Sequence, residues 1–137
     1  MWSIDVVYAD PCGHVAAPPV SPSAANLAAA VAGIPGVDVV TGPVDVTLGG
    51  MPGKHVAITF PEDADCTASE FFMWYDSAVC DGDAPCHRWV SELGQTSKVW
   101  IIEVDGTHVW IEAETYKGAR PELEQGIQQI VESIRFE

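Results

Sequence analysis

Glu112 and Glu114 are the pair of carboxylates whose spacing could serve acid–base chemistry. They alternate along a β-prone run, so both side chains project from the same face of a strand. Glycosidases use two carboxylates in this way. Neighbouring carboxylates on a hairpin are also a common feature of solvated surfaces. We expect this pair to lie on such a surface and to have no catalytic role.

The histidines do not complete a recognisable catalytic motif. They are His14, His55, His87 and His108, which are scattered over different predicted elements. Cys86 precedes His87 directly, a spacing that rarely gives nucleophile–base geometry. The sequence has neither a Gly-x-Ser-x-Gly nucleophile turn nor a glycine-rich phosphate loop. We therefore predict no catalytic centre and no cofactor.

Four cysteines indicate disulfide bonds: Cys12, Cys66, Cys80 and Cys86. Sequence alone allows three pairings. The residues between Cys80 and Cys86 are rich in turn formers, so these two Cα atoms can come within disulfide range. That assignment leaves Cys12 with Cys66. Because disulfides persist in oxidising compartments, we expect an extracellular or cell-surface location.

Two clusters resemble metal sites in part. A zinc site would use Cys80, Cys86 and His87, with Cys66 or another histidine as the fourth ligand. The spacing of these cysteines is longer than the Cys-x2–4-Cys pattern of structural zinc sites. A calcium loop would use Asp76, Asp81 and Asp83 around Gly82, but the glutamate that completes an EF-hand is absent. We predict no metal site.

Trp110 shares its predicted strand face with His108 and Glu112, and these three are the candidate ligand-binding residues. An exposed tryptophan beside polar groups is typical of a binding surface. In the competing interpretation, which we prefer for Trp110 itself, the C-terminal helix covers it through Ile127 and Ile130.

The charge of the chain limits its partners. Its 137 residues include 20 acidic and 6 basic side chains, for a net charge of −14, and the first basic residue is Lys54. Nucleic acid and anionic membrane surfaces bind proteins through Lys and Arg, so both are excluded as partners. No run approaches the roughly 18 apolar residues of a membrane span, so we predict no direct membrane insertion. The first residues lack the basic segment of a signal peptide, and we expect any targeting segment upstream of Met1.

The clearest local signal is Asp105-Gly106 between two β-prone runs, 98–104 and 107–115. Asp-Gly favours a type I′ turn because both residues tolerate positive φ. A two-residue loop sets Glu103 opposite His108, and we expect that pair to be exposed. One face is then predicted to be core: Trp100, Ile102, Val104, Val109 and Ile111. The opposite face mixes apolar and charged side chains and is predicted to be half exposed.

The remaining elements follow from hydrophobic spacing. Strands are predicted over 2–9, 37–40, 43–48, 54–60 and 70–76, with a turn at 49–53 and a short helical turn at 87–93. One helix is predicted to begin with Ser21 as its N-cap and to run through Val31. A second follows Pro121 and has apolar residues at helical spacing: Leu123, Ile127, Ile130, Val131 and Ile134. Together, these elements predict one α+β domain over 1–137. It would consist of an antiparallel sheet flanked by an N-terminal and a C-terminal helix.

Five segments together suggest a family: Tyr8–Cys12, Leu48–Lys54, Phe60–Asp63, Val99–Gly106 and Ile130–Phe136. They resemble a largely uncharacterised family of exported actinobacterial domains. The closing helix is similar to that of PsbP-like domains and mycobacterial LpqN-type lipoproteins. The resemblance implies an α/β/α sandwich on an antiparallel sheet, a binding or accessory role, and no catalytic residues. It also supports pairing of Cys12 with Cys66 and has no counterpart for Cys80 or Cys86.

These observations predict a non-catalytic binding or accessory domain of a longer surface or secreted protein. Its partner would be a protein, a glycan or a small molecule. Two alternatives belong to other classes of function. One is a small hydrolase that uses acidic residues, and the other is a purely structural or oligomerising module.

Overall fold

The computed structural model describes residues 4–19, 23–79 and 87–136, which form two antiparallel sheets and two helices. The strands are β1 (Val6–Asp10), β2 (Val15–Ala16), β3 (Asp38–Leu48), β4 (Met51–Thr59), β5 (Phe72–Tyr75), β6 (Arg88–Trp89), β7 (Thr96–Val104) and β8 (Thr107–Thr115), and the helices are α1 (Ala24–Ala32) and α2 (Pro121–Glu132). The large sheet has the order β3-β4-β7-β8, and the small sheet has the order β2-β1-β5-β6. The α+β class is confirmed, whereas the strands form two sheets instead of the single predicted one.

The predicted hairpin is confirmed in turn and register. Glu103 pairs with His108 and Val104 with Thr107, which leaves a two-residue loop. Asp105 and Gly106 have φ values of 50° and 82°, as a type I′ turn requires. The local turn chemistry therefore sets the alignment of β7 with β8 over their whole length.

Apolar side chains are buried on both faces of the hairpin, although only one face was predicted to be core, and three residues of that predicted face are only partly buried: Val104, Val109 and Ile111. Trp100 and Ile102 are 2% and 0% exposed, as expected, and they cluster with Val131 of α2. The opposite face was predicted to be half exposed, and this was wrong: Val99 and Ile101 are fully buried. They belong to the largest apolar cluster because α1 and the small sheet both pack on their side of the large sheet. We call this side the inner face.

The first helix begins two residues later than predicted. Its N-cap is Ser23, whose hydroxyl accepts a hydrogen bond from the backbone N–H of Asn26 at 3.1 Å, so the assignment of Ser21 was wrong. The predicted apolar face of α1 is buried against the inner face: Ala24, Leu27, Ala28 and Val31. A helix rich in alanine can approach a sheet closely because its side chains are short.

The second helix covers the outer face of the large sheet only in part. Val131 is 3% exposed, but Leu123 and Ile130 are 49% and 68% exposed. Helical spacing of the apolar residues therefore predicts the helix itself, but not which of these residues pack on the sheet. The helix touches the sheet along one narrow line, so side chains at the margins of its apolar stripe stay in solvent.

Most strand bounds differ by a few residues from the sequence prediction, and three predicted segments differ in kind. The two predicted runs before Gly49 form one strand, β3, with irregular pairing between Val39 and Val44. The predicted turn at 49–53 shortens to Gly49-Gly50, because Met51 already pairs with Leu48. The predicted helical turn at 87–93 is the short strand β6, whose residues pair with β5. In each case pairing with a neighbouring strand determines the conformation.

A disulfide between Cys12 and Cys66, with Cα atoms 5.6 Å apart, confirms one predicted pairing. It joins the segment after β1 to the loop after β4, and so links the small sheet to the large one. Cys80 and Cys86 lie outside the described residues, as do Asp81 and Asp83 of the calcium loop that was considered. Within the described part of the chain, no helix is long and apolar enough to cross a membrane.

Candidate functional site

The three candidate binding residues lie together on the inner face of β8, where two of them are buried. His108, Trp110 and Glu112 alternate along the strand, as predicted. His108 is 6% exposed and Trp110 is 9% exposed. The indole of Trp110 packs edge-on against Trp74 of β5, with ring centroids 5.3 Å apart. The rings of these tryptophans therefore line the contact between the two sheets.

The expected cover of Trp110 by the C-terminal helix was wrong. Val131 of that helix packs on the outer face of the large sheet with Trp100, and Ile127 joins the same cluster. Trp110 belongs to the inner cluster. Successive residues of a strand face opposite ways, so a helix that reaches Trp100 cannot reach a residue of the opposite face.

The predicted exposed contact between Glu103 and His108 is also wrong. The Nε2 atom of His108 lies 3.2 Å from the carbonyl oxygen of Ile4, inside the protein. Glu103 is exposed and turns to α1, where its carboxylate accepts a hydrogen bond from the backbone N–H of Ala24 at 3.2 Å. A carboxylate at a helix N-terminus is stabilised by the orphan N–H groups there. Glu103 and His108 thus each contact a backbone group of another segment and connect parts of the fold.

Glu112 and Glu114 form a partly dry ionic cluster, although a solvated surface was predicted. Each side chain is 16% exposed, and each places a carboxylate oxygen 3.5 Å from the same guanidinium nitrogen, Nη2 of Arg88. The hydroxyl of Ser91 donates to Glu114 at 3.1 Å. Burial raises the pKa of Glu112 above its usual value. Arg88 and the indole of Trp74 act against this rise in pKa, and the charge of Glu114 adds to it.

An open concavity formed by described residues lies elsewhere and was not predicted as a site. It consists of two adjoining hollows, of about 310 Å³ and 600 Å³, which share Gly36, Pro61 and Asp63. The end of β1, the turn between α1 and β3, and the loop after β4 form its walls. The Cys12–Cys66 disulfide holds two of these segments together. We call this concavity the acidic groove.

The name reflects the charged side chains that line the groove: Asp10, Asp38, Glu62, Asp63 and Asp65. All five are exposed, and no lysine or arginine is among the lining residues. One nearby cation, Lys117, contacts Glu62 at 2.6 Å. The remaining carboxylates keep the groove negative. The sequence signal was the acidic run between Pro61 and Cys66, which belongs to no known catalytic motif.

The carboxylates of the groove are not close enough together to form a metal site. Within the residues that the structure describes, no three His, Cys, Asp or Glu side chains converge as a ligand set. Asp76, from the calcium loop considered above, is 6% exposed and accepts a hydrogen bond from the N–H of Ala78 at 2.9 Å. Dispersed, exposed carboxylates suit an extended cationic molecule better than a single ion.

The comparisons with known proteins yield no relative. The sequence matches no protein-family model, and no curated protein or solved structure is detectably similar to it.

Proposed function

We propose that this chain is a non-catalytic binding or accessory domain whose acidic groove receives a positively charged segment of a partner protein. The observation that carries the proposal is the groove itself, a concave surface lined by five carboxylates and by no basic residue. Small-molecule pockets are mostly apolar and enclosed. An open, charged groove instead suits the side chains of an extended peptide.

Charge supports the choice of a basic partner. A cleft lined by one sign of charge concentrates the opposite sign and speeds the encounter between partners. The whole chain, with a net charge of −14, adds a long-range attraction. Exposed charges are screened by salt, over a Debye length of about 8 Å at physiological ionic strength. Binding should therefore weaken markedly as salt rises.

The proposal includes an extracytoplasmic location and a sandwich fold of the PsbP-like kind. The Cys12–Cys66 disulfide supports the location, since such bonds are rare in reducing compartments. Packing of α1 and α2 residues with opposite faces of the large antiparallel sheet supports the sandwich. A signal peptide or lipobox in the full-length gene product would test the location directly.

A double variant tests the groove. We expect a short labelled peptide of alternating arginine and serine to bind the wild-type protein at low salt. The change D63N/D65N should weaken binding about tenfold, on the order of 1.4 kcal/mol for two exposed ion pairs. Fluorescence anisotropy at several salt concentrations measures both effects.

The matched control is E122Q/E132Q, which removes the same charge from exposed positions of α2. It should change the affinity by less than about twofold. Equal weakening by both double variants would mean that the peptide senses only net charge and would overturn the groove as the site. Failure of the wild-type protein to bind the peptide at low salt would also defeat the proposal.

A hydrolase that uses acidic residues is the second candidate, and one observation favours it. Glu112, with its raised pKa, lies near the carboxylate of Glu114 around Arg88, and glycosidases pair an acid with a base in this way. Turnover in a glycosidase screen that is lost in E112Q and kept in E122Q would favour the hydrolase over the binding domain.

A further inference from the structure

Three charged side chains connect the outer strands of the two sheets. Arg88 lies on β6, at the edge of the small sheet, and Glu112 and Glu114 lie on β8, at the edge of the large sheet. These strands share no backbone pairing. The two contacts of 3.5 Å between Arg88 and the glutamates therefore form a side-chain link between separate sheets. We call these three residues the Arg88 cluster.

The Arg88 cluster places two carboxylates against one guanidinium in a largely dry setting. The glutamate side chains are 16% exposed and that of Arg88 is 40% exposed. Oε2 of Glu112 and Oε1 of Glu114 are buried and accept no hydrogen bond from the residues that the structure describes, although the second of these oxygens lies 3.5 Å from Arg88. Desolvated charge is costly unless it is neutralised and hydrogen-bonded. With both glutamates ionised, the cluster carries two negative charges and one positive charge. Binding of one proton to a glutamate neutralises the excess negative charge.

We propose that the Arg88 cluster is a pH-dependent clasp, which binds one proton in acid, holds β6 against β8, and loosens when that proton leaves. Once Glu112 is protonated, Arg88 faces a single charged partner, Glu114. Loss of the proton restores two like charges beside one cation. This inference uses residues outside the acidic groove and does not depend on the proposed function.

The surroundings of Glu112 set the direction of the effect. The charged and polar groups that act on it are Arg88 from β6, Glu114 from β8 and the indole N–H of Trp74 from β5, which lowers its pKa although it completes no hydrogen bond among the described residues. Burial is the largest influence, and it raises the pKa of Glu112 above its ordinary value of 4.5. The stabilisation from this group is therefore complete below the pKa of the unfolded chain. It is lost as the pH rises through the folded pKa.

The small size of β6 makes it responsive to this link. It contains two residues, which pair with Phe72 and Trp74 of β5. Just beyond it, the N–H of Val90 donates to the carbonyl oxygen of Phe71 at 3.0 Å. Short edge strands open locally at low cost in free energy. The exchange of the Val90 amide hydrogen with solvent therefore reports whether the clasp is closed.

Two NMR measurements on the wild-type protein test the clasp. The carboxyl carbon of Glu112 should titrate above its ordinary pH range. The protection factor of the Val90 amide should fall with the same midpoint, by at least about fivefold across that titration. Protection factors correct for the intrinsic pH dependence of exchange. A Glu112 carboxyl that titrates normally, or Val90 protection that ignores its titration, would overturn the proposal.

Variants separate the clasp from general effects of charge. The change E112Q mimics the protonated side chain and should keep Val90 protected across the range, whereas E122Q, at an exposed position of α2, should behave as the wild type. The change R88Q removes the cation that opposes protonation, so it should move the Glu112 midpoint to higher pH. An unchanged pH dependence of Val90 protection in E112Q would contradict the clasp.

Discussion

His108 is a polar side chain that is buried beside a backbone carbonyl group. Its ring lies on the inner face of the large sheet, and its Nε2 atom is 3.2 Å from the carbonyl oxygen of Ile4. A carbonyl can only accept, so this ring nitrogen must carry the hydrogen. The contact joins the start of the described chain to β8, which gives the buried histidine a structural role.

Replacement of that histidine tests its structural role. We expect His108→Ala to lower the free energy of unfolding by about 2–3 kcal/mol, since it leaves the Ile4 carbonyl unpaired and opens a cavity. Urea denaturation measures the change. Gln129→Ala, at an exposed position of α2, should stay within about 0.5 kcal/mol of the wild type. If His108→Ala lowered the free energy of unfolding by less than about 0.5 kcal/mol, the buried contact would be dispensable.

Among the secondary-structure elements, two glycines differ in the space around them, and they have opposite effects on stability. Gly53 lies in β4 opposite Ile102 of β7, where an added Cβ would be 2.3 Å from the carbonyl oxygen of Ile101. Gly126 lies in α2, and a Cβ added there would meet no atom within 4 Å. The first glycine permits two strands to pair closely. The second only weakens its helix.

These two glycines predict opposite effects of one substitution. Gly53→Ala should destabilise the protein by about 2–3 kcal/mol, because the new methyl group forces β4 away from β7. Gly126→Ala should stabilise it by about 0.5–1 kcal/mol through better helix propensity. Thermal and urea unfolding of both variants test the pair. Equal effects of the two substitutions would contradict the close approach at Gly53.

For the whole molecule, the important covalent constraint is the bond between Cys12 and Cys66. It spans 54 positions of sequence and links the segment after β1 to the loop after β4. Both segments line the acidic groove. The bond therefore restricts the unfolded chain and, in the folded protein, keeps the relative position of the small sheet and the groove wall.

Removal of this disulfide should reduce both stability and binding. For a loop of this length we expect C12A/C66A to lower the free energy of unfolding by about 4 kcal/mol. The variant should also bind the basic peptide less tightly under conditions in which it is still folded. The change C80A/C86A opens a shorter predicted ring and should cost about half as much. A folded C12A/C66A variant with wild-type peptide affinity would show that the bond does not shape the groove.

Local chemistry was enough to predict several features of this protein. The Asp105-Gly106 turn and its register follow from the φ preferences of two residues and from the pairing arithmetic of a two-residue loop. The helix after Pro121 follows from its proline and its apolar spacing. The pairing of Cys12 with Cys66 was suggested by a process of elimination and a resemblance. Each inference rests on short-range preferences or on simple counting of positions.

Tertiary packing decided the rest, because it depends on segments that are far apart in sequence. The pleat assigns Val99 and Trp110 to one face, but only the docking of α1 and the small sheet makes that face interior. The groove is lined by Asp10 from the end of β1, Asp38 from the start of β3 and Asp63 from the loop after β4. The meeting of Arg88 with Glu112 is likewise a result of how the two sheets lie together. The sequence by itself determines which side chains share a strand face, while burial, pKa and binding geometry depend on what covers that face.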